Sequence, residues 1–323
     1  MSTAGPPQGA QHRSAQREGD PSIDLPRDLE GRVAIVTGAG KGLGRAYALH
    51  LGARGAQVLV NNRRHPGESD ADTSAGQVAA AIRAAGGRAE PDWSDVGDPG
   101  SGLVMVEHAQ AAFGRLDIVV ANAGIDTPTS FIKQPMADFR RIFDTSFFGN
   151  LHLAHAAWPV LTGQGWGRVV LTASSAGLHA NHGQSAYSAA KAAVIGLAKA
   201  LAIEGARREV RVNVIAPYGF SQMTAPYMKP DMAEAFDPAR VAPLVGWLCS
   251  EACDVSGEVL VSGAGAVRRA STGETAALAL DADDPGATVH ALAGLPVRSY
   301  ASANASFAQL LHELDAAASG DTP

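Results

Sequence analysis

The stretch Arg32–Val60, "RVAIVTGAGKGLGRAYALHLGARGAQVLV", decides how this chain folds. Val33 to Val36 form an unbroken apolar run, the signature of a strand covered on both faces. Directly after it, "TGAGKGLG" places Gly38, Gly42 and Gly44 at the turn into an Ala- and Leu-rich helical run, and "AQVLV" follows as a second strand. Glycines there let the backbone turn tightly and approach a pyrophosphate, whose charge the N–H groups at the helix N-terminus meet. A plain turn is the alternative for a glycine cluster taken alone. Its position at the first strand-to-helix crossing favours dinucleotide binding.

Outward from this unit the pattern repeats. "RAEPDW", "LDIVVA", "GRVVLTA", "VRVNVIA" and "GEVLVSG" are further strand candidates, and helices are expected to begin near Gly42, Ser69, Pro99, Pro135, Ser185 and Asp237. Such alternation predicts an α/β fold, a single doubly wound parallel-sheet (Rossmann) domain over residues 28–267. Residues 1–27 are rich in Pro, Gly, Gln and Ser with almost no large apolar side chains, and predict a disordered arm. Residues 268–323 form a C-terminal extension in which Phe307, Leu310, Leu311 and Leu314 make one apolar stripe. That stripe packs on the domain or on a neighbouring subunit, or the extension is partly disordered.

Composition narrows the partners. The 323 residues carry a formal charge of −6 with no long basic run, which argues against nucleic acid and anionic membrane. The longest apolar runs fall short of the roughly 18 residues of a membrane span, and the N-terminus lacks a hydrophobic signal core, so a soluble cytoplasmic protein is expected. Cys249 and Cys253 lie at i and i+4, a poor geometry for a disulfide, and read as buried free thiols. No cluster of His, Cys and carboxylate has ligand spacing, so no metal is expected.

The choice of dinucleotide rests on the end of the second strand. An acidic side chain there would hold a ribose 2′-OH, but the chain reads "VLVNNRRHPG", with Asn62 at that place and Arg63 and Arg64 behind it. With Lys41 in the glycine loop, three cations surround the position of a 2′-phosphate, which favours NADP over NAD, although a merely solvated basic loop would read the same. Asp95 is a candidate for the adenine edge, and Asn122, Ala123 and Gly124 for the crevice wall; each is also ordinary turn chemistry. Tyr187 and Lys191 stand four residues apart at the start of "SAYSAAKAAVIGLAKALAIEG", Ser185–Gly205. They are either a solvated pair on a helix face or a phenol whose pKa a neighbouring ammonium lowers from roughly 10 by two or three units.

Taken together, "TGAGKGLG", "ANAG", a serine thirteen residues before "YSAAK" and "VNVIAP" resemble the short-chain dehydrogenase/reductase family in content and order. The phrases "GLGRAYAL", "NVIAPYGFSQMT" and "VAPLVGWLCSEAC" carry a further likeness, to the dehydrogenase part of the peroxisomal multifunctional enzymes of type 2 and their single-domain bacterial relatives. The resemblance implies oxidoreduction of a secondary alcohol and a ketone with NADP or NAD, typically on a (3R)-3-hydroxyacyl thioester, and a homodimer or homotetramer. It implies Tyr187 as acid/base, Lys191 as the residue that lowers its pKa and holds the nicotinamide ribose, and Ser174 as the hydroxyl that orients the substrate oxygen. Leu43, Pro217 and Thr224 join the cofactor set by the same likeness. Ser146 occupies the place of an asparagine that supports a water-linked proton relay in many members, with a shorter reach. His179 and His182 touch substrate or are plain loop residues, and His152 and His155 are interface or core histidines. A steroid or polyketide-type ketone reductase and a catalytically silent dinucleotide-binding protein are the alternatives.

Overall fold

The computed structural model describes residues 25–319, so nearly all of the expected arm lies outside the described residues. Eight strands form one sheet: β1 (Val33–Val36), β2 (Gln57–Asn61), β3 (Arg88–Asp92), β4 (Ile118–Ala121), β5 (Gly167–Thr172), β6 (Val210–Pro217), β7 (Val259–Gly263) and β8 (Ala266–Ala270). Their order is β3-β2-β1-β4-β5-β6-β7-β8, parallel throughout except for the antiparallel β7–β8 edge. The connections reverse direction between β1 and β4. Loops leaving those two strands therefore diverge and leave a crevice at their C-terminal ends.

Strand residues alternate between two cores with the expected period of two. Ala34, Val36, Val58 and Val60 meet α1 (Gly42–Ala53), α2 (Ser74–Ala84) and α8 (Ala242–Leu248) through Tyr47, Leu51, Ile82 and Val245. Val33, Ile35 and Leu59 meet α3 (Ser101–Phe113), α5 (Gly149–Gln164) and α7 (Ser185–Gly205) through Met105, Leu153 and Val194. Ser185–Arg208 is long and apolar enough to cross a membrane by length and composition. In the fold its Ala190, Val194, Ala198 and Ala202 are buried, and that burial accounts for its apolarity.

Several element boundaries differ from the expectation for local reasons. The second helix begins at Ser74, because Ser69 Oγ is tied to Asp72 Oδ2 at 2.6 Å and Thr73 caps the helix, its Oγ1 accepting from Gly76 N at 3.0 Å. Asp237 caps a short 3₁₀ turn, Pro238–Arg240, which precedes α8. Strand β8 was absent from the strand candidates; Val267, Arg268 and Arg269 give it an exposed edge with little apolar pattern. The helical region after β4 divides into α4 (Met136–Phe143) and α5, joined by the π turn Asp144–Phe148. Beyond β8, β9 (Glu274–Thr275) pairs antiparallel with β10 (Val297–Arg298), with α9 (Pro285–Leu292) between them and α10 (Ala303–Ser319) after. Phe307, Leu310, Leu311 and Leu314 on α10 remain exposed rather than packing on the domain.

Candidate active site

The glycine loop is built so that only glycine fits. Gly38 and Gly42 have φ of +61° and +53°, the left-handed region that side chains resist. Gly44 has ordinary φ, but a Cβ there would lie 2.8 Å from the Gly38 carbonyl carbon and 2.5 Å from Asn122 Nδ2. Thr37 locks this loop to the end of β4, its Oγ1 accepting from Asn122 N at 2.9 Å and Ala123 N at 3.1 Å. Asn122 Nδ2 donates back to Thr37 O at 3.0 Å. A cradle that any Cβ would fill, at the N-terminus of α1, fits the pyrophosphate of a dinucleotide.

A crevice of about 420 Å³ runs across this loop. Gly38, Lys41, Gly42, Leu43, Gly44, Asn62, Arg63, Asp95, Asn122, Ala123, Gly124, Ser174, Tyr187, Lys191, Pro217 and Thr224 all line it. Arg64 does not: its guanidinium pairs with Asp70 and lies over the Trp93 ring, 4.1 Å from the centroid. The basic end of the crevice thus has two cations, Lys41 and Arg63, not three. Asn62 Nδ2 donates to Ser74 Oγ at 2.9 Å. Asn61, Ser94, Ile125, Thr145 and Thr172 line the crevice and were missed. They are sequence neighbours of the expected residues, so the strand ends themselves were the available signal.

Ser174 precedes the short helix α6 (Ser175–His179) and caps it, its Oγ accepting from Ala176 N at 3.1 Å. Its hydroxyl also hydrogen-bonds with Tyr187, on the first turn of α7. Lys191, 2% exposed, donates from Nζ to Thr172 O at 2.7 Å, and its Nζ stands 5.7 Å from the Tyr187 ring centroid.

The expected lowering of the phenol pKa is reversed in the chain by itself. Burial pushes Tyr187 up to about 12; the Ser174 hydrogen bond opposes this and the Asp126 charge adds to it. Burial likewise pushes Lys191 down to about 8. The ammonium stands 5.7 Å from the ring centroid and is itself costly to charge, and desolvation of the phenol is the largest influence on it.

Ser146 is tied to the backbone after β4. Completely buried, its hydroxyl accepts from Ile125 N at 3.0 Å and donates to Ile125 O at 2.9 Å, and Ser146 is not among the residues that line the crevice. Its one donor and one of its two lone pairs go to the Ile125 backbone, so the side chain fixes the segment after β4 and keeps a single acceptor site.

Ser174, Tyr187, Pro217, Met223 and Thr224 border a second space as well, a chamber of about 770 Å³. Met223, Met228, Met232, Phe236 and Val261 supply its apolar lining; Asp126, Asn181, His182, Gln184 and Arg268 are its polar groups. Of the four histidines considered, His182 alone reaches this chamber. His152 has Nδ1 3.2 Å from Val96 O and its ring stacked on Phe148, while His179 closes α6 and His155 is exposed.

Comparison with known proteins agrees with this geometry. A family model described as short chain dehydrogenase matches residues 32–232. The chain is 41% identical over 260 residues to the peroxisomal multifunctional enzyme type 2 of Drosophila melanogaster, covering 79% of this chain and 43% of that protein. It is 38% identical over 243 residues to a putative short-chain type dehydrogenase/reductase of Mycobacterium tuberculosis, covering 75% and 85% of the two. A crystal structure of a short chain dehydrogenase from Mycobacterium avium superposes with TM-score 0.75 at 34% identity, covering 84% of this chain and 98% of the other. The chain spans less than half the length of the multifunctional relatives from Drosophila and from Saccharomyces cerevisiae that it matches. A dinucleotide cradle at the sheet's switch point, a serine, tyrosine and lysine at its inner end and a family match over most of the domain identify the chain as an oxidoreductase of the short-chain dehydrogenase/reductase family.

Proposed function

We propose that this enzyme interconverts a secondary alcohol and a ketone of the 3-hydroxyacyl/3-oxoacyl thioester class, with NADP as the preferred dinucleotide. The observation that carries the reading is the position of Ser174 and Tyr187 on the boundary between the crevice and the chamber. A carbonyl carbon there is within reach of both spaces at once. Names of the multifunctional relatives and the largely apolar chamber support an acyl substrate; Lys41 and Arg63 at the crevice support a 2′-phosphate.

When bound, the nicotinamide supplies or accepts the hydride. The chain's own residues handle the oxygen and the proton. Ser174, its rotamer fixed by the Ala176 N–H, donates to the substrate oxygen as charge develops on it. Tyr187 gives a proton to that oxygen in reduction and removes it in oxidation. Raised to about 12, the phenol is protonated near neutral pH, the form that gives the proton in reduction, whereas oxidation draws on the phenolate. Lys191, with one N–H on Thr172 O, has two left for a ribose and for water. The family habit of pairing long helices supports a homodimer or homotetramer, and a cytoplasmic location stays part of the proposal.

A second reading, reduction of a polycyclic or polyketide-type ketone, draws on the chamber volume of about 770 Å³, ample for a fused ring system. Parallel fluorescence titrations with NADPH and NADH, followed by turnover of 3-oxoacyl thioesters and polycyclic ketones, test the proposal. Tighter NADPH binding that Lys41→Glu and Arg63→Glu abolish, with thioester turnover lost in Tyr187→Phe, is the expected result. Equal affinities, or turnover unaffected by Tyr187→Phe, would overturn it.

A further inference from the structure

The chamber has a polar strut along its wall that the chemistry above does not use. Asn181 Nδ2 donates to Gln184 Oε1 at 2.8 Å, and Gln184 Nε2 donates in turn to Asp126 Oδ2. All three residues line the chamber, and the line of donors ends on a carboxylate. Asp126 cannot swing away with its backbone, because the preceding residue, Ile125, is held through both N and O by Ser146.

The protein leaves that carboxylate under-satisfied. An ionised carboxylate accepts about four hydrogen bonds. Gln184 supplies one side-chain donor, Oδ1 has no hydrogen-bond partner, and no lysine, arginine or histidine among the described residues forms an ion pair with Asp126. Burial raises its carboxyl above the usual range, against the pull of Gln184 and the Thr127 backbone, and its charge in turn makes the Tyr187 phenolate harder to form. A carboxylate in the wall of a mainly apolar chamber that Tyr187 also lines, with one oxygen lacking a donor, is costly to ionise unless a bound molecule completes it.

We propose that Asp126 determines specificity by accepting a hydrogen bond from a neutral O–H or N–H that the substrate carries into the chamber. The inference rests on the oxidoreductase reading of the site. It implies that plain ketones are poor substrates and that a hydroxylated carbon skeleton, or the amide N–H of a thioester arm, supplies the missing donor. An anionic substituent at the same place is repelled.

Three ketones separate the sources: ethyl 3-oxobutanoate, with no donor; ethyl 4-hydroxy-3-oxobutanoate, with an O–H beside the reacting carbon; and the N-acetylcysteamine thioester of 3-oxobutanoate, with an N–H farther along. A hydrogen bond to a charged group is worth about ten- to a hundredfold in kcat/KM. The wild-type enzyme should prefer one donor-bearing ketone over the plain ester by that factor; Asp126→Leu should reduce the preference to about threefold or less, and Asp126→Asn should leave an intermediate value. Gln184→Leu, which removes the strut and keeps the carboxylate, should retain the preference. An Asp126 that merely anchors Gln184 would make the two leucine variants alike and change all three ketones equally, and that result overturns the inference. So does a wild-type enzyme that turns over all three without preference, an outcome that leaves the proposed function standing. Absence of any turnover with either dinucleotide would instead sink the proposed function and this inference with it.

Discussion

Replacing Lys191 by methionine should stabilise the fold near neutral pH while abolishing turnover. The side chain is buried, its neighbours supply no carboxylate partner, and desolvation brings its pKa from 10.5 down to about 8. That shift makes the protonated lysine cost about 3 kcal/mol in the folded state. Methionine is of similar length, carries no charge and forfeits one hydrogen bond, from Nζ to Thr172 O, worth about 1 kcal/mol. The net gain is about 2 kcal/mol, equivalent to a Tm increase of about 4–8 °C for a domain of this size. The pH dependence has a definite sign. Because the folded pKa lies below the unfolded one, the penalty is fully present below about 8 and is relieved as pH rises toward 10.5. Differential scanning calorimetry of both proteins from pH 6 to pH 10 should therefore show a Tm difference that is largest at the acid end and vanishes or changes sign at the alkaline end. A Lys191→Met protein less stable than wild type at pH 7 would refute the reasoning, since it would mean that the ammonium is satisfied where it lies. Confirmation would mark this residue as one that the fold keeps at a cost for the sake of its chemistry.

Other perturbations follow from the same geometry. Gly44→Ala forces the Gly38 carbonyl and α1 apart, so overpacking should cost about 1–3 kcal/mol, and NADPH affinity should fall at least about tenfold with the far-UV spectrum unchanged; unaltered affinity would remove the cradle argument. Asp117, completely buried, takes hydrogen bonds from Arg32, Arg115 and Val33 N, so Asp117→Ala should lower urea stability by about 3 kcal/mol; a loss under about 1 would show that the guanidinium groups find water instead. Ser174→Ala removes the group that holds the Tyr187 phenol down, so the pH at which alcohol oxidation turns on should move upward, and a downward move would contradict the assignment. Asp126→Asn removes a nearby charge that raises the same phenol and should move that pH downward.

Short local signals in this chain carry more of the fold than long ones. Seven strands stood out because both sheet faces are covered, which leaves runs such as Val33–Val36 wholly apolar. The eighth escaped, since Ala266–Ala270 is an exposed edge whose arginines carry no pattern. Ser69 looked like a helix start and became a turn, because Thr73 competes for the cap four residues later. Arg64 was grouped with its neighbour Arg63, but Asp70 and the Trp93 ring, distant from it in type and pattern, draw it away. For Asp126 the sequence held no sign of its place in the chamber that Tyr187 lines, as the two stand 61 positions apart.

By itself the sequence determined the order of strands and helices, the glycine turn and the spacing that brings Ser174, Tyr187 and Lys191 to one place. Those depend on neighbours along the chain, where residue type fixes local geometry. Only the tertiary structure decided the direction in which the tyrosine's pKa moves, the engagement of Ser146 with Ile125, the two cations rather than three at the crevice and the carboxylate in the chamber wall. Each of these depends on burial and on partners brought in from remote segments, and desolvation, which exists only once the chain has closed around a group, outweighs what its sequence neighbours supply.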